Sequence, residues 1–275
     1  MDKIHLIEGS VQETMLGPLW ARAKFSKLYP EILDDQKAYG IIEKLEYDFS
    51  KIQEYLGEWR GIGLLIRAKN FDNALKNYIK RFPNATIVNI GAGLDTTFFR
   101  VDNGIIKWYD LDLSDAIEFR RQFIPETNRC KYISKSALDY SWFDEIDFNH
   151  HEGIFLIAGG FIYYFHENEI SAFFGALAEK FPDGELIFDC ISNLAIKVAH
   201  KRAKKAGAET PFWHIGISDP IKKMAEWSDK IKVIDWYTMF SQTKISPNWN
   251  KKTVKMIKIA ERFKTAKMVH VKFLK

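Results

Sequence analysis

Apolar positions along the chain change rhythm once, near residue 84. Before that point they recur at helical spacing, and no strand-like alternation of any length occurs. Residues 13–23 carry an apolar stripe interrupted by Gly17-Pro18, which predicts a bend or a helix start near Pro18. Residues 30–47 place Asp34 and Asp35 near a helix start, followed by Ala38, Ile41, Ile42 and Leu45. In residues 67–82 the positions Phe71, Ala74, Leu75, Tyr78 and Ile79 again fall on one helical face, and Pro83-Asn84 stops the helix.

From Ala85 the pattern becomes strand, helix, strand. Ile87, Val88 and Ile90 form a short apolar run suited to a parallel strand buried on both faces. A second strand is expected over 105–113, a helix over 115–123 capped by Ser114 and ended by Pro125, and a third strand over 131–134. Residues 153–165 hold a fourth strand, read as ending in Tyr163-Tyr164-Phe165-His166. A helix over 167–181, a fifth strand over 185–191 and two last strands over 232–237 and 268–273 complete the series. Strands alternating with helices predict an α/β fold: a mostly parallel, Rossmann-like sheet of seven strands with helices on both faces. We expect one domain over 1–275. It comprises a helical N-terminal cap over 1–84 and a core over 85–275, with substrate-side insertions around 207–230 and 240–265.

The chemistry centres on the end of the first core strand. Gly91-Ala92-Gly93 lets the chain turn sharply and leaves space for a ligand against the backbone. Asp95 and Thr96-Thr97 supply capping groups for a following helical turn. A lone G-x-G is weak, but Asp112 lies 21 residues beyond Gly91, the spacing at which an acid meets ribose hydroxyls. The alternative is that Asp110 and Asp112 only cap local structure. A dinucleotide fold calls for a third glycine where this chain has Thr96, which points away from NAD and toward a nucleoside cofactor without pyrophosphate.

Composition narrows the setting. The 275 residues are 47% hydrophobic, enough for a sizeable core, and no apolar run approaches a membrane span. The N-terminus lacks a secretory pattern, and the two cysteines, Cys130 and Cys190, are far apart, so a reduced cytoplasmic setting and no metal are expected. A net charge of +4 does not by itself argue for nucleic acid. The lysine-rich runs 197–205 and 251–275 read by default as solvated faces, with RNA contact the minority alternative because stacking aromatics are sparse in both.

The segments GAGLDTTFFR, WYDLDLSD with RRQFIP, ISKSALDYSWFDEI and FLIAGGFIYYFHENEI occur in an order that resembles the leucine carboxyl methyltransferase superfamily. Within it the chain is most similar to the bacterial branch named for tetracenomycin polyketide O-methyltransferases. The resemblance implies a methyltransferase fold using S-adenosylmethionine, with a helical section over the site. It further implies Gly91 and Gly93 beneath the cofactor, Asp112 on its ribose, and Ser136 and Ala137 at its adenine. It places Arg67 on the cofactor carboxylate, a role suited to a guanidinium fork. Arg22 would be a second basic partner. Gly159 stands where eukaryotic members place a glutamate near the cofactor amine. Read without the resemblance, Arg67 is a solvated helix arginine.

Two residues are candidates on the acceptor side. Tyr164 matches a tyrosine on the family's substrate side and could orient a substrate or simply pack. His214 is the best candidate base, set against a structural or exposed histidine. A carboxylate acceptor is already ionised and needs only alignment, whereas a phenol or alcohol must lose a proton. The expected activity is O-methyl transfer to a carboxylate or hydroxyl of a small-molecule metabolite. The alternatives are methylation of RNA or of a protein C-terminal carboxylate, or an idle protein that keeps only the fold.

Overall fold

The computed structural model describes residues 4–5, 11–205 and 213–275. Its centre is a sheet of seven strands: β3 (Thr86–Ile90), β4 (Lys107–Asp112), β5 (Cys130–Ser134), β6 (Ile154–Ala158), β7 (Glu185–Ile191), β8 (Ile231–Thr238) and β9 (Ala266–Phe273). Two further strands, β1 (Ile4–His5) and β2 (Leu45–Glu46), pair elsewhere. The large sheet has the order β5-β4-β3-β6-β7-β9-β8. β3 through β7 are parallel, and β9 runs antiparallel between β7 and β8. Every residue of β3 and of β6 is buried, which is why both read as unbroken apolar runs.

Helices cover both faces. On one side α6 (Glu167–Lys180) and α8 (Pro220–Trp227) pack on Val88, Ile90, Leu156, Phe188 and Val271. On the other, Ile87, Phe155 and Ile157 join one continuous core with the N-terminal helices α1 (Val11–Leu28), α2 (Gln36–Ile42) and α3 (Ser50–Arg81). The same face holds α5 (Ser114–Arg121) and α9 (Lys251–Arg262), while α4 (Phe98–Val101) follows the glycine turn and α7 (Asn193–Lys205) follows β7. Sheet and cap therefore share buried side chains.

Several boundaries differ from expectation. The first 84 residues are not wholly helical, because β1 and β2 form a two-residue parallel ladder too short to leave a periodic signal. Helix α1 runs through Pro18 without a start or break. An interior proline costs a helix about 3 kcal/mol, but α1 buries Leu16, Leu19, Trp20 and Phe25, each side chain offsetting roughly 1.5–3 kcal/mol. Residues 30–34 stay outside α2, which Asp35 caps by accepting from Ala38 N–H. Ser114 is the first residue of α5 and not its cap. β6 stops at Ala158, seven residues before Phe165, and Ile162–Tyr164 is a short 3-10 turn. The cause is Gly159-Gly160, with Gly160 at φ +70°, which turns the chain off the sheet edge. Of the two expected insertions, residues 207–212 of the first lie outside the described residues, and the second contains α9.

Candidate active site

Strand register brings the glycine turn, the acids and the cap to one edge. Ile90 is level with Leu111 on one side and Ala158 on the other, so Gly91 lies between Asp112 and Gly159. Asp112 is level with Ser134, which puts Ser136 and Ala137 just beyond it. Ala158 is level with Phe188, so Gly160 meets Asp189 at the end of β7. These are carboxyl ends of adjacent parallel strands, where open α/β sheets bind ligands.

The turn itself is built for glycine. Gly91 and Gly93 have φ +67° and +45°, and a Cβ at these two positions would stand 2.9 Å from Phe161 Cδ2 and 3.0 Å from Met15 Sδ. Gly93 N–H donates to Asp112 Oδ2 at 2.7 Å, and Leu113 N–H donates to Oδ1 at 2.8 Å. Burial raises the Asp112 pKa above the ordinary carboxylate value, against those two bonds.

Asp110 has a different task. Fully buried, it accepts from Asn89 Nδ2 at 2.9 Å, Trp108 Nε1 at 2.8 Å and Arg120 Nη2 at 2.7 Å. Arg120 Nη1 then donates to the carbonyls of Gly93 and Asp95, at 3.0 and 2.7 Å. Asp110 thus orients a clamp on the turn, while Asp112 stands at the open edge. Periodicity alone could not rank the two acids, since both lie on one strand face; the spacing from Gly91 and the family resemblance favoured Asp112.

The cap grips the same turn through buried ion pairs. Arg22 Nε pairs with Asp35 at 3.0 Å and its Nη2 donates to Leu94 O at 2.7 Å, so the first contact ties α1 to the cap of α2 and the second ties it to the loop. Arg100 pairs with Asp35 and Asp72, each at 2.8 Å, joining α4 to residues flanking α2 and within α3. Thr96, where a third glycine would fall, is fully buried and donates to Asp35 Oδ2 at 2.6 Å. That position is closed by a hydroxyl, and gives no open backbone for a pyrophosphate.

Arg67 approaches from α3. Its Nη1 lies 3.5 Å from Asp189 Oδ2 and 2.7 Å from the point where a Cβ on Gly160 would stand. Asp189 also accepts from Gly160 N–H at 2.6 Å and from the Tyr163 hydroxyl. Burial alone would lower the Arg67 pKa, but Asp189, Tyr163 and Asp95 outweigh it and hold the guanidinium charged. At 3.5 Å the pair with Asp189 is loose, which leaves the fork able to take a second anion. Asp189 and Arg120 escaped the sequence reading because each acts through a residue distant along the chain.

The remaining candidates separate. Gly159 stands against Phe71 of α3, 3.1 Å from its added Cβ. Ser136 is exposed and accepts from Leu138 N–H at 3.2 Å; buried Ala137 accepts from Trp142 Nε1 at 3.0 Å through its carbonyl. Tyr164 is 52% exposed and feels Arg67, Asp189 and Tyr55, with partial burial raising its pKa. His214 packs against His166 with ring centroids 4.2 Å apart and the rings tilted by 35°, and its backbone N–H donates to Tyr163 O at 2.8 Å. That places its ring at the start of α6, beside the N-terminal residue of the helix.

The family model described as leucine carboxyl methyltransferase matches residues 16–178. The chain belongs to the leucine carboxyl methyltransferase family. It is 27% identical over 208 residues to the tetracenomycin polyketide synthesis O-methyltransferase TcmP of Streptomyces glaucescens, covering 75% of this chain and 76% of that one. It is 24% identical over 212 residues, 71% of each chain, to the S-adenosyl-L-methionine-dependent methyltransferase dpfgK of Gibberella zeae. A candidate methyltransferase from Thermobifida fusca YX has the same fold, with a TM-score of 0.60 at 10% identity over 93% of this chain and 94% of that one.

This member of the family is thus an S-adenosylmethionine-dependent methyltransferase, and its residues fit that cofactor. The glycine turn keeps two positions free of side chains, Asp112 offers an anionic acceptor at the edge, and Arg67 offers a charged fork with a loose partner. Among the described residues, no helix is long and apolar enough to cross a membrane.

Proposed function

We propose that this enzyme transfers a methyl group to an oxygen of a small, partly aromatic metabolite, and that a carboxylate is the preferred acceptor. The observation that carries this reading is the protonation chemistry around Arg67. Burial raises the pKa of Tyr163 and Tyr164, so both phenols stay protonated near neutral pH. Asp189 has its oxygens engaged by Gly160 N–H, the Tyr163 hydroxyl and Arg67. Such groups hold protons and charges in place; they do not take a proton from an incoming hydroxyl. A carboxylate with a pKa of about 4 arrives already ionised and needs none removed. The name of the relative TcmP supports oxygen as the acceptor atom and a polyketide-like compound as the molecule.

In this reading Asp112 accepts from the ribose hydroxyls, Arg67 binds the cofactor carboxylate, and Gly91 and Gly93 let the backbone approach. Ser136, Ala137 and Gly159 shape the adenine and amino acid ends, and Arg22 holds the loop that carries Leu94. Bound S-adenosylmethionine supplies a methyl group on a positively charged sulfur. Tyr164 orients the acceptor from the exposed side, and the protein contributes alignment and exclusion of water.

The test is methyl transfer from radiolabelled cofactor to panels of aromatic carboxylic acids, phenols, RNA and peptides with free C-termini. The proposal expects turnover on acids, with kcat/KM flat from about pH 6 to 9 because the acceptor is fully ionised there. Turnover confined to phenols and rising with pH would sink the carboxylate preference. Turnover confined to RNA or peptides would sink the metabolite reading, and cofactor binding with no turnover on any panel would mark an idle protein.

A further inference from the structure

Helix α9 carries a row of positive charge without acidic partners among the described residues. Lys251, Lys255, Lys258 and Arg262 fall at intervals of four, three and four residues, one narrow stripe opposite the buried Thr253, Ile257 and Ala260. Among the described residues none of these four cations forms an ion pair with an acid. The helix's one acid, Glu261, is spent on Thr238 and on Phe240 N–H. Neighbours along the stripe are like charges at i,i+3 and i,i+4, and Lys251 and Lys252 sit in the first turn, at the positive end of the helix dipole. The local arrangement opposes itself in two ways with no compensating acid among the described residues, a signature of sites kept for another purpose.

The stripe borders a groove of about 770 Å³ whose apolar lining comes from Ile245, Pro247, Trp249, Val254 and Ile259. Ile245 and Ile259 are exposed, at 44% and 39%. Trp249 is 95% buried against Tyr29, and its Nε1 is a buried donor without an acceptor. An apolar trough and a row of cations without ion-pair partners share one surface, and Trp249, which lines the trough, holds an unused donor that is buried.

We propose that this groove docks an acidic amphipathic helix of a partner protein. The four cations span about 17 Å along α9 at 1.5 Å per residue, which matches acids at the same intervals on a helix laid alongside. The partner's apolar side chains then cover Ile245 and Ile259, and its carboxylates relieve the repulsion within the stripe. RNA fits less well, because a strand-binding groove presents stacking rings to solvent and the one ring lining this groove is Trp249, which is buried.

The test uses fluorescence anisotropy on the full chain at about 0.1 M salt. The probe is a labelled synthetic helical peptide of about 18 residues carrying Glu at intervals of four, three and four, flanked by Leu. A scrambled peptide of identical composition, an oligouridylate and phosphatidylglycerol vesicles serve as competitors. The ordered peptide should bind at least about tenfold more tightly than its scramble and shift the Trp249 indole N–H resonance. Lys255→Glu with Lys258→Glu should weaken it at least about thirtyfold, with binding of S-adenosylhomocysteine unchanged. Lys255→Glu alone should weaken it about fivefold and serves if the double variant misfolds. Equal binding of the scramble, stronger competition by RNA or vesicles, indifference to charge reversal, or no binding would each overturn the proposal.

Discussion

Replacing Arg67 with alanine should weaken S-adenosylhomocysteine far more than 5′-methylthioadenosine, which lacks the amino acid tail. The guanidinium is partly buried, held charged, and joined to Asp189 only at 3.5 Å, so its hydrogen bonds remain free for a ligand carboxylate. A bond between charged groups contributes roughly 1.5–3 kcal/mol, a loss of about tenfold to 150-fold in affinity. The same substitution leaves Asp189 without its cation. Removing one partner of a tight buried pair costs about 3–5 kcal/mol. Here Asp189 keeps Gly160 N–H and the Tyr163 hydroxyl, and Arg67 is 18% exposed, so a stability loss of about 1–2 kcal/mol is expected. Titration calorimetry with both nucleosides, beside denaturant melts, separates the two effects. Arg67→Lys should recover part of the affinity, because it restores charge without the planar fork. Equal weakening of both ligands would mean that Arg67 serves the fold, and no change in either would refute its assignment to the carboxylate.

Gly160→Ala should mimic part of this loss, since its Cβ would stand 2.7 Å from Arg67 Nη1; the φ of +70° adds about 1–2 kcal/mol of backbone strain, read by thermal melting. Asp112 sets a pH signature: its folded pKa is raised, so cofactor affinity should fall as pH drops through that elevated value and the carboxylate protonates. The stability sign is opposite, because a raised acid contributes most below its unfolded pKa and loses that contribution as pH rises through its folded one; calorimetry and melts across pH check both, and Asp112→Asn should flatten them. Asp189→Asn should raise the KM for cofactor with a smaller effect on kcat, because it loosens Arg67 and not the reacting atoms; an equal fall in kcat would place Asp189 in the chemistry. His214→Ala should leave the rate on a carboxylate within about twofold, its ring being packed against His166; a large loss on a phenol near neutral pH, recovered at alkaline pH where the phenol ionises by itself, would restore it as a base.

The sequence by itself determined the layered fold, because burial on both faces writes itself as unbroken apolar runs in β3 and β6 and as helical stripes between strands. It also determined the site's starting point, since glycines at positive φ and an acid one strand away are local requirements of backbone and spacing. Its periodicity could not separate Asp110 from Asp112, which share a strand face, and what Asp110 does was left open; the neighbours they meet, Arg120 for one and the open edge for the other, give each its task. The continuation of α1 through Pro18 was decided by packing that outweighs local preference, with Leu16, Leu19, Trp20 and Phe25 buried on the same helix. Tertiary structure alone joined Arg67, Gly160 and Asp189, whose positions span 122 residues of chain, since a charge's partner is fixed by distance in space, which residue order does not encode.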